Sequence, residues 1–444
     1  MIAAAERFLA TPLAHLVDDR VGVLHAIREV RADFAAPAFF HVVAQLADTR
    51  AFSPQTAPGL VGAAAVDRTT AVARVVCAAV AAYCAALRPL EDDLRPACVA
   101  AAAPFPCVPP EDFALFAPAQ HADSAFPWSR FDASTPVRWT PAADPLRGTT
   151  VHVPSDLVHF SSWSPGEIPI APVTSIGLAA HWDATEAALA ALGDAIEHDA
   201  LAIAWQTGLA LPQIRVETLS DANYDRVERF ERTGAAVTLL DARLDLALPV
   251  FVAVLSSPRA GAPARVFASG SDPDPERAMA RALDRLAHTH LACRSLARRQ
   301  GGGAEDPAGV RTTEDHLRYW ADPAHAALSE PFLGSQERLE SDEIAGLPGG
   351  DRRSCLDDLL GRLAAEGLRG LLADVTTPEV RQLGLTALRA VVPGLQPLFA
   401  GHARRPLGGR RLREVPRRIG RTGIDPDTGG NPLPHPFPLR EVEP

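Results

Sequence analysis

Thr174-Ser175-Ile176-Gly177-Leu178-Ala179-Ala180 is a short apolar segment with one glycine, and it runs directly into an apolar-periodic stretch over about 184–205. That stretch predicts a long helix, with Asp183 or Thr185 placed to cap its first-turn N–H groups. Downstream, Ser269-Gly270-Ser271-Asp272-Pro273-Asp274-Pro275 predicts a turn that opens a second long helix over 276–299, ended by Gln300-Gly301-Gly302-Gly303. Between the two helices, 238–256 is rich in Val and Leu and reads as strand. Working outward, 69–87 is an alanine-rich helix, 88–146 holds many prolines and predicts loops with short strands, and 149–154 is a strand by alternation. Helix 355–367, strand 370–375, helix 378–384 and strand 387–392 complete the body. At the start, Leu9, Leu13 and Leu16, then Val23, Leu24, Ile27 and Val30, predict one or two amphipathic helices. Strands and helices in mixed order give an α+β fold. The chain divides into an N-terminal helical extension (1–50), a main domain (51–430) and a proline-rich C-terminal tail (431–444).

Composition removes whole classes of function. The 444 residues carry 43 basic and 54 acidic side chains, a net charge of −11, and every basic one is arginine. Without lysine there is no Walker-type phosphate loop and no Schiff-base or pyridoxal-phosphate chemistry. The acidic balance argues against a nucleic-acid partner, which selects a basic face. At 47% hydrophobic and 22% charged the chain reads as a soluble globular protein. Its longest apolar helical run, 75–87, falls short of the roughly 20 residues that span a bilayer, so no membrane is expected. The N-terminus lacks a basic region followed by an apolar core and cleavage site, and the six cysteines form no CxxC pair. Reduced, mostly buried thiols and a cytoplasmic location are expected.

Two helices place polar residues on one stripe. Asp194 and Glu197 stand at i and i+3 with His198 beside them, and Arg281, Asp284 and His288 fall at i, i+3 and i+7. Facing carboxylates on neighbouring helices can hold magnesium against phosphate oxygens, and arginine offers phosphate a forked donor. Two solvated helix faces have the same pattern. His288 and His290, at i and i+2, do not share a face as zinc ligands. His152 and His159 flank a strand and read as surface or hydrogen-bonded core residues, and no Gly-x-Ser-x-Gly elbow is present.

These segments, in this order, resemble the YcaO family. The resemblance rests on 174–180 with the helix ending at Trp205, on Ser269 to Ala278 followed by Arg281-Ala282-Leu283, and on His316 with Tyr319-Trp320-Ala321-Asp322-Pro323. Val375-Thr376-Thr377-Pro378 and Val391-Val392-Pro393-Gly394-Leu395-Gln396-Pro397-Leu398 extend it. The terminal Pro434-His435-Pro436-Phe437-Pro438 resembles the alternating-proline tail of azoline-forming members, which lies near the nucleotide site. The resemblance implies mixed sheets with long helices lining a central nucleotide pocket. It also implies ATP and magnesium as cofactors, phosphorylation of a backbone amide oxygen, and attack by a Cys, Ser or Thr side chain of a ribosomal precursor peptide. Expected partners are a separate ThiF-like leader-binding protein, the precursor peptide and an intact YcaO paralogue, in a homo- or hetero-oligomer.

The family's first nucleotide helix reads Glu-x-x-Glu-Arg-Tyr. Aligned on Tyr83, those positions are Ala78, Ala81 and Ala82. The second helix presents Asp194, Glu197 and His198, and the third Arg281, Asp284 and His288, where the family carries Arg, Glu and Gln. Ile176 takes the place of an asparagine. The resemblance therefore assigns Asp194, Glu197 and Asp284 to magnesium, Ser175, His198, Arg281 and His288 to nucleotide or phosphate, and Pro434, His435, Pro436 and Pro438 to the neighbourhood of the site. Two readings stay open: a component with weak or no ATP use, and a cyclodehydratase working with altered ligands. A peptide-presenting interaction protein without catalysis is the third.

Overall fold

Three aspartates start the three long helices. In the computed structural model, which describes residues 15–33, 35–51, 59–88, 97–113, 115–160, 168–299, 306–397 and 401–421, Asp67 accepts a hydrogen bond from the Thr70 N–H, Asp183 from Thr185 and Glu186, and Asp274 from Glu276. Each carboxylate satisfies first-turn donors and complements the helix dipole. The elements in chain order are β1 (Leu24–Val30), β2 (Phe40–Leu46), β3 (Leu60–Ala65), α1 (Arg68–Ala86), β4 (Trp139–Asp144), β5 (Thr149–Pro154), β6 (Leu178–His181), α2 (Ala184–Gln206), β7 (Gln213–Ile214) and α3 (Asp221–Glu231). Then come β8 (Ala236–Asp241), β9 (Val250–Ser256), β10 (Arg265–Ser271), α4 (Pro275–Arg298), α5 (Thr313–Ala321), α6 (Glu330–Leu333), β11 (Arg338–Leu339), α7 (Arg352–Ala365), β12 (Leu371–Asp374), α8 (Pro378–Gln382), β13 (Thr386–Val391) and α9 (Arg411–Arg418).

The strands form three sheets, ordered β1-β2-β3, β10-β9-β8-β7-β11 and β5-β4-β12-β13-β6. The pairing of β11 with β7 is parallel and the others are antiparallel. Helix α1 packs on β2, β3 and β6, helix α2 on β6, β13 and β10, and helix α4 on β3, β9 and β10. By length and composition α1 is apolar enough to cross a membrane, but its Ala71, Val75, Val76, Ala79 and Val80 belong to a core shared with Val42, Leu371 and Ala387.

Three expectations change. The first concerns residues 24–46, which form β1 and β2 rather than amphipathic helices. The 24/27/30 spacing suits a helix, but Val42, Ala44 and Leu46 are buried with a period of two, and β1 pairs along β2 from Leu24↔Leu46 to Val30↔His41. Cross-strand pairing onto the α1 core overrides local periodicity. β2 in turn bonds to β3, so residues 24–46 share a sheet with 60–65. The second is 238–256, which is two strands, β8 and β9, with the reversal between them passing through Ala247 at φ 53°. The third is 269–275, where Ser269–Ser271 end strand β10 and only 272–274 turn. Leu9 and Leu13, the 300–303 glycine run and the tail at 434–438 lie outside the described residues. All six cysteines are unpaired, Cys84, Cys293 and Cys355 buried and the others half-buried.

Helix α9 is fastened to α2 by charge. The buried Arg411 guanidinium donates to both oxygens of Asp199 at 2.7–3.2 Å and to Asp245 at 2.8 and 2.9 Å. His41 on β2 is buried, and neither of its ring nitrogens has a hydrogen-bond partner among the described residues. Burial first, then His288 and His290, lowers its pKa to about 4, and burial lowers that of His290 to about 4. The unfolded imidazoles titrate near 6.5, so between pH 6.5 and 4 the unfolded chain binds the extra protons and stability falls as pH falls. Chemical denaturation across that window is expected to show a shallower slope for His41→Phe than for the parent chain. An identical slope would mean that His41 is solvated.

Candidate functional site

On a strand, residues i and i+2 point to the same face. Ser269 and Ser271 at the end of β10 therefore both face α2, where their hydroxyls donate to Glu197 at 2.5 and 2.9 Å. Gly270 between them faces α4. A Cβ there would stand 2.5 Å from the Ala282 nitrogen and 2.6 Å from the Ala278 oxygen, so only glycine lets helix and strand approach this closely. That approach brings Arg285 within 3.2 Å of both Glu197 oxygens and 3.1 Å of the Ser269 carbonyl. Glu197 is fully buried and satisfied by two hydroxyls and a guanidinium.

The same geometry repeats around two more carboxylates. Asp272, also buried, receives Arg281 at 2.9 Å, Arg352 at 2.9 Å and Arg277 at 3.4 Å. Burial alone would raise its pKa, but Arg281, Arg352, the Asp274 N–H and Arg277 outweigh burial and hold it below the usual carboxylate range. Asp284, fully buried on α4, is held between Arg74 of α1 at 2.6 Å and Arg226 of α3 at 3.1 Å.

In front of this layer lies a cavity of about 400 Å³. Consecutive residues 60–64 of β3 and 178–182 at β6 border it, and each strand is the last in its sheet, so the cavity sits between two sheet edges. Its floor is α1, which contributes Arg74, Ala78, Ala81 and Ala82 at i, i+4, i+7 and i+8. Helix α4 contributes Arg281, Arg285 and His288, and α2 contributes Asp194. The His288 ring lies against β3 so closely that a Cβ on Gly62 would fall 2.1 Å from its Cε1. Asp194 accepts the Gly177 N–H at 2.8 Å and stands 3.5 Å from His198 and 3.9 Å from Arg285.

Of the residues singled out by sequence, Ser175, Asp194, Arg281, His288 and the three alanines come together at the wall. Glu197 and Asp284 do not; they stand one layer behind, each consumed by arginine. His198 is buried, its Nδ1 2.7 Å from the Asp194 carbonyl, and does not border the cavity. Sequence reasoning missed Arg74 and Arg285. The signal was available: Arg285 and His288 succeed Arg281 at i+4 and i+7, a truer face than one through Asp284, and Arg74 lies one turn before Ala78.

The fold is shared with heterocyclases. A heterocyclase solved in complex with substrate and cofactor superimposes with a TM-score of 0.76 at 20% identity, over 94% of this chain and 55% of that one. The YcaO protein of Methanopyrus kandleri, bound with AMPPCP and Mg2+, gives 0.63 at 20% identity over 89% and 91%. An uncharacterised protein of Rhizobium leguminosarum bv. trifolii from the tfuA 3′ region is 28% identical over 285 residues, 60% of this chain and 63% of its own. The chain thus spans less than two thirds of that relative and about half of the heterocyclase. The YcaO cyclodehydratases, a family described as binding ATP and Mg2+, match residues 27–396, and this chain belongs to them.

Magnesium demands near-octahedral oxygen ligands. Here the wall offers the Asp194 carboxylate, and among the described residues no three His, Cys, Asp or Glu side chains come together to hold a metal ion. Guanidinium groups occupy the free faces of Glu197 and Asp284. This donor set does not fit a magnesium-bound triphosphate.

Arg285 is expected to hold the site by charge rather than by shape. Arg285→Met should destabilise the protein by about 2–4 kcal/mol, because it strands a buried carboxylate. Adding Glu197→Gln should recover roughly half of that loss, since the stranded charge is removed. Chemical denaturation of the two variants measures both terms; equal stability of single variant and parent would refute the assignment.

Proposed function

We propose that this chain is a YcaO-type component of an azole- or azoline-forming cyclodehydratase complex that acts on Cys, Ser or Thr of a ribosomally made precursor peptide, and that it serves there as a scaffold subunit with weak or no use of ATP. The observation that carries this reading is the arginine capture of Glu197 and Asp284 behind a floor of Ala78, Ala81 and Ala82. The loss of even outer-shell metal partners typically costs about 10–100-fold, and here groups that would touch the metal are replaced.

The cavity itself supports a role in handling peptide. It lies between the outer edges of β3 and β6, and strand edges are natural acceptors of an extended chain. Turnover then belongs to an intact YcaO paralogue, and leader recognition to a ThiF-like partner, in a cytoplasmic complex. The family membership supports the chemistry of that complex, and the likeness to a heterocyclase solved with substrate and cofactor supports the architecture.

Calorimetric titration of the full chain with ATP and magnesium tests this. No magnesium-dependent binding in the low-micromolar range is expected. Such binding, or ATP consumption on addition of a precursor peptide without a paralogue, would favour a cyclodehydratase with altered ligands instead.

A further inference from the structure

The polarity of the cavity is the reverse of a metal site. Among the described residues its wall presents three guanidinium groups, those of Arg74, Arg281 and Arg285, against one carboxylate, Asp194, which already accepts the Gly177 N–H. The other carboxylates that balance the arginines are behind them: the side chains of Asp272 and Asp284 are 0% exposed and that of Glu197 1%, whereas those of Arg74, Arg281 and Arg285 are 32%, 26% and 31% exposed. A group entering the cavity therefore meets guanidinium first and carboxylate only one side chain further on.

Donors remain for it. Arg74 uses Nη1 for the Ala64 carbonyl and Asp284, which leaves Nε and Nη2 without hydrogen bonds among the described residues. Arg281 uses Nη1 for the Ser271 carbonyl and Nη2 for Asp272, which leaves Nε. The cations also crowd one another. Burial first, then Arg285, Arg277 and Arg74, against the help of Asp272, lowers the pKa of Arg281 to about 10, a crowding that an anion would relieve. Ala73, Ala78, Ala81, Ala82 and Phe160 supply an apolar lining beside these donors.

We infer that the cavity is a metal-independent oxyanion site, taking a small ligand with a phosphate or carboxylate head on Arg74 and Arg281 and an apolar body over the alanine floor. This rests on the proposal that magnesium-bound ATP is not the ligand. Guanidinium is suited to either head, since its planar fork matches both carboxylate and phosphate oxygens.

The test is a calorimetric titration of the full chain, in EDTA and again in excess magnesium, with two probes. The first is AMP. The second is a short N-acetylated apolar peptide with a free C-terminal carboxylate, run beside its C-terminal amide. At least one probe is expected to bind in EDTA, with affinity changed less than about twofold by magnesium, and the probe that binds identifies the phosphate or carboxylate source. Arg74→Gln should weaken that binding about tenfold, the worth of one charge-assisted hydrogen bond. Ala78→Glu, whose position is exposed into the cavity, should weaken it at least as much by adding a like charge while leaving the melting temperature close to that of the parent. No binding by either probe, an amide that binds as well as its acid, or affinity unmoved by both variants would overturn the inference and leave the scaffold reading standing. Binding that appears only with magnesium would overturn both.

Discussion

A carboxylate with no exposure to water must be paired and hydrogen-bonded or give up its charge, because an isolated buried charge costs several kcal/mol. Glu197 is such a group, and much of this site is built to satisfy it. Two hydroxyls two residues apart on β10 supply neutral donors, and Arg285 on α4 supplies the cation. For the guanidinium to reach, α4 must lie nearly on top of β10, and the absent side chain of Gly270 is what allows it. One buried charge thereby fixes the relation of α2, β10 and α4, and with it the back wall of the cavity.

The absence of lysine gives this arrangement its character. An ammonium is a point charge that serves one carboxylate oxygen well. A guanidinium serves a carboxylate with one edge and still has donors to direct elsewhere. Arg74 bridges the Ala64 carbonyl and Asp284, Arg281 bridges the Ser271 carbonyl and Asp272, and Arg352 spans Asp272 and Glu186. Arginine therefore links helix to strand and helix to helix in a net of two parts, one around Asp284 and one around Asp272 and Glu197. Placed at a metal centre, the same net competes with the metal for each carboxylate.

The long helices were legible from their composition and spacing, with Asp183 also readable as the cap of α2, whereas the caps Asp67 and Asp274 emerge only in the structure. The N-terminal strands were not, because Leu24, Ile27 and Val30 satisfy a helical period by chance, and only the partner strand β2, several residues away, decides the matter. Within the site, the face of α1 carrying Ala78, Ala81 and Ala82 and the residues Ser175, Asp194, Arg281 and His288 were readable from alignment to a family pattern. The rotation of Asp284 away from the cavity was not. It is set by Arg226 and by Arg74, which belong to helices distant in sequence, and no local spacing reports a contact made through the fold.

Only the arginine half of each ion pair reaches the cavity: Arg74, Arg281 and Arg285 line it, and the carboxylates that hold them do not. Glu197, Asp272 and Asp284 form a second layer that anchors the wall arginines without a ligand in front of it, and α1 is secured by its apolar face in the core with Val42 and Leu371. A change at the exposed Ala78 therefore alters what the cavity holds while leaving the elements that shape it in place, whereas Ala81 and Ala82 also belong to the core. A carboxylate at the wall is stabilised in part by its metal, and its loss would leave neighbouring arginines facing one another. Here those arginines have turned to the buried acids behind them, so the charge is balanced inside the protein. In this architecture the wall arginines carry both tasks, since one end of each satisfies a buried acid and the other faces the cavity, whereas the exposed Ala78 bears on the ligand alone.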